Sequence, residues 1–196
     1  GRLGFISSIS TDQIDVAVDN VLNGEYKIRN RTVLELDTEN NLFRSTNFAL
    51  NEVAIVKKDT SSMIRIDAFI DDEFLNSYWA DGLLISTPTG STGYSLSCGG
   101  PIILPGTENI IIAPIAPHNL NVRPIIVNEN STIRLKVEDR DQLALVSLDS
   151  RSRAFDSSSE LIIRKANFKI KLIEPKDHSF ITTIRSKLMW GEDKRN

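Results

Sequence analysis

The stretch from residue 81 to residue 101 has the composition of a ligand-binding loop. It reads DGLLISTPTGSTGYSLSCGGP, and nine of the twelve residues from 86 to 97 are Ser, Thr or Gly. Hydroxyls and free backbone N–H groups at the start of a helix can converge on a ligand, and Gly90 and Gly93 let the backbone approach it closely. A plain connecting loop is the alternative, but connection alone does not need this density of small polar residues.

The dipeptide Asn51-Glu52 is a second candidate, at the start of a predicted strand that continues to Val56. An amide supplies both a donor and an acceptor, and a carboxylate accepts twice, so this pair suits a base edge and a ribose diol. Taken alone, such a dipeptide is more typical of ordinary polarity at a strand edge. It becomes informative only in combination with the first stretch.

Other patterns of catalytic or metal chemistry are missing from the sequence. It contains no P-loop and no G-x-G-x-x-G string. His118 and His178 have no Cys or His at ligand spacing, which argues against a metal site built on them. Cys98, the one cysteine, cannot form an internal disulfide, which suits a reducing compartment; among its small neighbours it resembles a packed thiol. We predict no metal site in this chain.

Composition is that of an ordinary globular chain. The 196 residues are 40% hydrophobic and 25% charged, with 23 Lys and Arg against 26 Asp and Glu, for a net charge of −3. This balance gives no electrostatic reason to expect nucleic acid or a membrane surface as partner. No apolar run approaches the ~20 residues that span a bilayer.

One amphipathic helix is predicted near the start of the chain. Its apolar residues lie at i, i+3, i+4, i+7 and i+8 and are Ile14, Ala17, Val18, Val21 and Leu22. Ser10 and Gln13 have capping-box spacing, and Gly24 stands where a left-handed residue ends a helix.

The remainder of the chain reads mainly as short β-strands, many of which alternate apolar and polar residues. The predicted runs are 33–36, 53–56, 64–70, 83–85, 110–112, 125–127, 133–137, 143–148, 161–163 and 168–173. We therefore predict a mainly β fold, an antiparallel β-sandwich of about ten strands. An N-terminal amphipathic helix precedes it, and short helices follow the Thr-Pro-Thr-Gly motif and lie at the C-terminus.

Together these stretches resemble the NAD kinase family. The resemblance lies in Asn51-Glu52-Val53, in Asp81-Gly82 and in the string from Thr87 to Tyr94. Further landmarks in the same order are Gly1-Arg2-Leu3-Gly4-Phe5, Pro117-His118, Arg123-Pro124 and Leu148-Asp149-Ser150. The resemblance implies transfer of a phosphoryl group from ATP or polyphosphate to the adenosine ribose 2′-hydroxyl of NAD, assisted by a divalent metal, Mg²⁺ or Mn²⁺.

The family's catalytic loop, Gly-Gly-Asp-Gly-Thr, does not occur in these residues. The only Gly-Gly pair is Gly99-Gly100, and Pro101 follows it. The resemblance implies that the catalytic aspartate lies upstream of Gly1 and that this chain alone is inactive. It also implies three regions: a linking segment and helix of the missing N-terminal domain over 1–30, an NAD-binding β-sandwich over 31–177, and a tail over 178–196 that returns to the N-terminal domain.

The resemblance further implies which residues contact the adenosine half of NAD. Asn51 contacts the adenine or a nearby phosphate, and Glu52 holds the ribose hydroxyls. Thr92, Gly93 and Tyr94 line the adenine and ribose pockets, with Tyr94 stacking. Gly93 replaces a commoner alanine, which widens the pocket.

For the nicotinamide half, the resemblance implies contacts of the carboxamide with Asp81 and Ser97. Trp79 stands where an arginine is frequent, and Arg151 stands where a glutamine often appears, so both are weaker candidates. Two hydroxyls either contact NAD or hold the loop, and they are Thr89 and Ser91.

A homodimer or homotetramer and a cytoplasmic location are also implied. The stretch from Ile110 to Pro117 is a candidate subunit contact, although it equally reads as a core strand followed by a proline turn. Without an N-terminal domain, Ile184, Leu188 and Trp190 are expected to cover another apolar surface. The alternative to a kinase is a β-domain that binds a dinucleotide, or serves assembly, without chemistry.

Overall fold

Fourteen strands and three α-helices lie in the part of the chain that the computed structural model describes, which is residues 5–6, 9, 11–58, 62–139 and 142–191. The helices are α1 (Ile14–Leu22), α2 (Tyr94–Ser97) and α3 (Phe180–Leu188). The strands are β1 (Tyr26–Arg31), β2 (Leu34–Thr38), β3 (Phe48–Ala49), β4 (Glu52–Lys57), β5 (Ile64–Ile70), β6 (Glu73–Ala80), β7 (Gly82–Ser86), β8 (Asn109–Ile115), β9 (Ile125–Asn128), β10 (Ile133–Glu138), β11 (Leu143–Leu148), β12 (Arg151–Asp156), β13 (Leu161–Lys165) and β14 (Ile170–Pro175).

The strands form two six-stranded antiparallel sheets and a two-stranded ribbon. One sheet has the order β3-β2-β13-β10-β5-β6, the other the order β12-β11-β4-β7-β8-β9, and β1 pairs with β14 in the ribbon. Alternate residues of both sheets, such as Ile64 and Ile66 on β5 and Ile55 on β4, are fully buried in one shared core. This confirms the predicted antiparallel sandwich, since each sheet buries one apolar face against the other.

The second sheet is covered on its other face as well. Leu84 and Ile111 belong to a second buried cluster, which Ile103 from the segment after α2 helps to form. Strands β7 and β8 are therefore buried on both faces, which explains their continuous apolar runs.

All ten predicted runs overlap strands, although the runs 33–36 and 168–173 begin one and two residues before β2 and β14. Four strands were not predicted from the sequence, namely β1, β3, β6 and β12. β3 has only two residues, and β1 and β12 are largely polar. In β6 the apolar residues stand side by side, as in Phe74-Leu75 and Tyr78-Trp79, and do not alternate with polar ones.

Two of these four strands, β6 and β12, follow their partner strands through two-residue turns. Ile70 pairs with Glu73 across Asp71-Asp72, and both aspartates have positive φ. Leu148 pairs with Arg151 across the turn that contains Asp149. Such turns match the twist of a hairpin, and they set the register without an apolar pattern.

The predicted helices are present. Gly24 has φ +73°, and the N–H groups of Gly24 and Glu25 bond the carbonyls of Val21 and Asn20, which ends α1 in a Schellman motif. Gln13 precedes α1 without a side-chain cap, and Ser10 lies outside the described residues. Ser179 caps α3 by accepting the N–H of Thr182.

The two terminal helices differ in burial. α1 has no buried residue, so the apolar stripe predicted for it is exposed. Ile184 of α3 is buried within this chain, whereas Trp190 just after the helix is 55% exposed.

Residues 26–31, around the predicted boundary at residue 31, form β1 and pair with β14. No helix in the described ranges is long and apolar enough to cross a bilayer.

Candidate functional site

Asp149 organises the start of β4. Its carboxylate accepts the backbone N–H groups of Leu50 (3.0 Å), Asn51 (2.7 Å) and Glu52 (3.2 Å), and its own N–H donates to the Glu52 carbonyl at 3.0 Å. Asp149 has φ +52° in the turn between β11 and β12, a conformation that aspartate tolerates better than most residues. The backbone of Asn51 and Glu52 is thus fixed from a position 97 residues away in sequence.

Glu52 carries an unsatisfied acceptor. Its Oε2 atom is buried and has no hydrogen-bond partner, which is uncommon for a buried carboxylate oxygen. Burial, and then the nearby charge of Asp149, raise the pKa of Glu52 to about 7. Such an oxygen is suited to accept a hydrogen bond from a hydroxyl group of a ligand.

The Thr-Pro-Thr-Gly loop packs directly on Asn51. The Thr87 N–H donates to the Asn51 carbonyl at 2.9 Å, and the Thr87 hydroxyl donates to the Leu50 carbonyl at 2.6 Å. At Gly90, an added Cβ would stand 2.2 Å from the Asn51 carbonyl oxygen. Glycine is required there because the two backbones approach closer than any side chain allows. The loop and the start of β4 therefore form one unit.

Two hydroxyls of the loop are engaged within it. Ser91 is fully buried, donates to the Pro88 carbonyl at 2.7 Å and accepts the Ile103 N–H at 3.0 Å. Thr92 is also buried, and its hydroxyl lies 3.5 Å from the Thr89 carbonyl. Of the two roles left open for Ser91, these contacts favour holding the loop.

Four predicted residues come together beside this loop. A Cβ on Gly93 would lie 3.5 Å from Glu52 Oε2. Tyr94 is 42% exposed, and its pKa is raised by burial and then by Cys98, Asp81 and Glu52, which places those groups within electrostatic range of its ring. Glu52, Gly93 and Tyr94 therefore border one surface, and Asp81 lies within electrostatic range of it.

Ser97 and Asp81 lie at the edges of this surface. Ser97 is exposed at the end of α2, three residues after Tyr94 and so on the same side of the helix. Lys57 Nζ lies 2.6 Å from Asp81 Oδ1, and both side chains are partly exposed. Lys57 was not foreseen from the sequence, and its only signal is its place at the end of the strand that Asn51-Glu52 opens.

The two weaker candidates, Trp79 and Arg151, make contacts with other parts of the chain. Trp79 is 54% exposed on β6, and its carbonyl accepts the His118 N–H. The guanidinium of Arg151 donates to the carbonyls of Thr46 and Phe48, lies over the Phe48 ring and stands 3.9 Å from Asp149 Oδ2. Arg151 thus supports Asp149 and the segment before β4.

The described residues do not contain a ready-made metal site. No group of three or more His, Cys, Asp or Glu side chains gathers in those ranges. His178 instead bonds Thr183 through Nε2 at 2.9 Å, and its Nδ1 lies 3.6 Å from Glu174.

Comparison with known proteins decides the family. A family model described as the ATP-NAD kinase C-terminal domain matches residues 50–175, which includes every element of this site. The chain belongs to the NAD kinase family. It is 53% identical over 196 residues to the NAD kinase of Cytophaga hutchinsonii and 50% identical over 198 residues to that of Flavobacterium johnsoniae.

These comparisons also locate the chain within the NAD kinases. All of the chain aligns with 67% of each of those two relatives. The crystal structure of yeast NADH kinase complexed with NADH matches with a TM-score of 0.87 and 29% identity, over 98% of this chain and 57% of that one. The chain thus corresponds to the C-terminal domain of the NAD kinases, which are phosphotransferases.

Proposed function

We propose that this NAD kinase chain binds NAD through the surface that Glu52, Gly93 and Tyr94 border. The observation that carries the proposal is the buried, unpartnered Oε2 of Glu52. In its ionised form Glu52 accepts from the two ribose hydroxyls, while Asn51 beside it serves the adenine or a neighbouring phosphate. A bound diol removes the cost of that unsatisfied acceptor, which is about 1–3 kcal/mol for a buried group.

The rest of the dinucleotide is proposed to extend along the same surface. Tyr94 has a partly exposed ring for stacking. Because Gly93 has no side chain, space remains beside that ring and Glu52. Base–aromatic stacking contributes about 1–3 kcal/mol per base in other systems. Lys57 engages Asp81 Oδ1, which leaves Oδ2 to accept from the nicotinamide carboxamide, with Ser97 at the same edge. Thr92 closes the loop behind the ribose.

In the reaction, this domain positions the 2′-hydroxyl and holds the adenosine ribose rigidly. Phosphoryl transfer depends mainly on such positioning and on neutralising phosphate charge. We propose that the base which removes the hydroxyl proton and the phosphate-donor site lie outside these 196 residues. A divalent metal, Mg²⁺ or Mn²⁺, would supply charge neutralisation at the donor phosphates, with ATP or polyphosphate as donor.

The test compares two proteins in an assay of NADP formation from NAD, ATP and Mg²⁺. One is this chain, and the other is the same chain joined to the N-terminal third of the C. hutchinsonii NAD kinase. We expect NAD binding by both in calorimetry, and NADP formation only by the joined protein, lost on adding EDTA. Polyphosphate in place of ATP identifies the donor.

A Glu52→Gln variant of each protein tests whether NAD binds at the proposed site. It is expected to weaken NAD binding by about tenfold or more, since one charge-assisted acceptor is lost. Glu73→Gln, on an exposed side chain at the end of β6 far from Asp81, is the matched control and should leave binding unchanged. Folded proteins that bind NAD but form no NADP would favour a non-catalytic dinucleotide module instead.

We also propose a homodimer or homotetramer in the cytoplasm. The strand part of the stretch from Ile110 to Pro117 is buried core, so the accessible part is the turn that follows it. Leu120 is 82% exposed there, beside the exposed Trp79 and a cavity of about 540 Å³ that both residues line. An exposed apolar patch of this kind is typical of an interface between subunits.

A further inference from the structure

A second polar cavity lies apart from the dinucleotide surface. It has a volume of about 290 Å³ and is enclosed between β1, the turn over residues 105–108, Glu129 and Lys169. None of the residues proposed to contact NAD lines it. Three cationic side chains do, and they are Arg29, Arg31 and Lys169.

Arg31 is the unusual member of this group. Its side chain is only 8% exposed, and its one partner among the described residues is Glu174, at 2.5 Å from Nη2. The Nε atom is buried without any hydrogen-bond partner. Burial, and secondarily the neighbouring charge of Arg29, lower the pKa of Arg31 against the pull of Glu174. A guanidinium buried with unused donors is costly unless an acceptor completes it.

The acidic groups around the cavity are largely committed to other cations. Glu129 is almost fully buried, accepts the Thr32 hydroxyl at 2.7 Å and pairs with Lys165 Nζ at 2.9 Å. Although burial opposes its ionisation, these hydrogen bonds and the lysine charges lower the pKa of Glu129 overall. Its contact with Lys169 is long, at 3.9 Å.

The balance of charge leaves room for an anion. Glu174 already serves Arg31, and its contact with Arg29 is the longer one, at 3.4 Å. Glu108 is a further carboxylate on the wall. The charged groups on or next to the wall are four cations (Arg29, Arg31, Lys165 and Lys169) and three carboxylates (Glu108, Glu129 and Glu174). The cations therefore exceed the carboxylates by one. Arg29 and Lys169 have the longest ion-pair distances among them.

We propose that this cavity binds a small phosphate-bearing anion, with Arg29, Arg31 and Lys169 as its ligands. Guanidinium groups match the tetrahedral oxyanion through paired N–H donors, and the ammonium of Lys169 adds a mobile point charge. The volume exceeds what one phosphate group fills, so a phosphorylated organic compound or pyrophosphate suits it better than orthophosphate.

The position gives such a site a structural consequence. The cavity lies between the ribbon strand β1 and the sandwich. Its opposite wall begins at Pro105, two residues after Ile103. The Ile103 N–H donates to the Ser91 hydroxyl of the binding loop. The Glu129 N–H also donates to the Glu108 carbonyl at 3.0 Å. An anion in the cavity would therefore fasten the ribbon against the sandwich.

The experiment measures melting temperature and calorimetric binding of the whole chain with orthophosphate, pyrophosphate, glycerol phosphate and sulfate, at ionic strength matched with chloride. We expect glycerol phosphate or pyrophosphate to raise the melting temperature and to bind more tightly than orthophosphate. Arg29→Gln and Lys169→Gln, both on half-exposed side chains, should each weaken binding about tenfold or more.

Lys171→Gln is the matched control, because Lys171 is an exposed cation on the same ribbon that does not line the cavity. Arg31→Met is a further variant that should also weaken binding. If it fails to fold, Arg29→Gln and Lys169→Gln still test the proposal. No phosphate-dependent shift, or a shift equal in Arg29→Gln, Lys169→Gln and Lys171→Gln, overturns the proposal. Binding that NAD displaces would assign the anion to the dinucleotide surface and overturn it as well.

Discussion

At the scale of single residues, Asp149 and Glu52 form the centre of the candidate site. The Asp149 carboxylate accepts three backbone N–H groups and lies near Arg151, while the Glu52 carboxylate keeps a buried oxygen without a partner. Two carboxylates thus have different roles, because that of Asp149 faces three backbone donors whereas Oε2 of Glu52 faces none. The sequence pointed to Glu52 through its resemblance, but it indicated only that Asp149 is a landmark.

The raised pKa of Glu52 predicts a pH dependence of folding. Because its pKa is about 7 in the folded chain against an ordinary 4.5, the folded state favours the protonated form. The stability that this preference contributes is full below about pH 4.5 and is lost as the pH rises through about 7. Urea unfolding of the NAD-free chain from pH 5 to pH 8 is therefore expected to show falling stability that Glu52→Gln largely removes.

The comparison of wild type with variant isolates the contribution of Glu52, because every other ionisable group is the same in both proteins. Asp149→Asn removes a charge that raises the pKa of Glu52, so carboxyl NMR of that variant should report a lower value. Parallel pH curves for wild type and Glu52→Gln would show that Glu52 is not perturbed.

At the scale of elements, the binding loop is positioned by a close backbone contact. Gly90 stands against the Asn51 carbonyl, whereas Gly93 has more space: a Cβ there would lie 3.2 Å from the Gly90 carbonyl oxygen. Neither glycine has positive φ. The difference between them is therefore one of space and not of backbone conformation.

This difference predicts that alanine substitution has a large effect on stability at Gly90 and a small one at Gly93. Gly90→Ala is expected to destabilise the chain by about 3 kcal/mol, because the backbones of the loop and β4 must separate. Gly93→Ala should change stability by less than about 1 kcal/mol, since a shift of a few tenths of an ångström suffices. Thermal unfolding of both variants checks this, and similar losses would contradict the packing described.

At the scale of the whole molecule, several apolar surfaces remain exposed. The stripe of α1 has no cover in the described residues, and Leu120 and Trp79 project beside one cavity. We propose that the stripe of α1 packs against a further domain of the NAD kinase. The surface around Leu120 lies on the sandwich itself, and we assign it to contact between copies.

The assignment predicts that Leu120→Asp disrupts the proposed oligomer. An aspartate buried in an apolar interface without a partner is strongly unfavourable, so sedimentation velocity should show a shift towards the monomer. Leu104→Asp, on another exposed leucine, is the control and should keep the assembly. A monomeric wild-type chain, or an unchanged Leu120→Asp oligomer, would refute the contact.

The sequence by itself determined the sandwich, the α1 helix with its Gly24 cap, and the family. Alternation of apolar residues reports burial on one face, and the string from Thr87 to Tyr94 is specific enough to carry a resemblance. These are local properties, since each depends on neighbours within a few residues.

Only the tertiary structure decided what the polar side chains do. Asp149 meets Asn51, and Arg31 meets Glu174, across about 98 and 143 residues of sequence; β12 and β6 exist because hairpin partners hold them. Pairings at such separation leave no periodic trace in the chain, because they depend on which strands become neighbours. The unpaired atoms of Glu52 and Arg31, on which both proposed sites rest, appear only once every other partner is known.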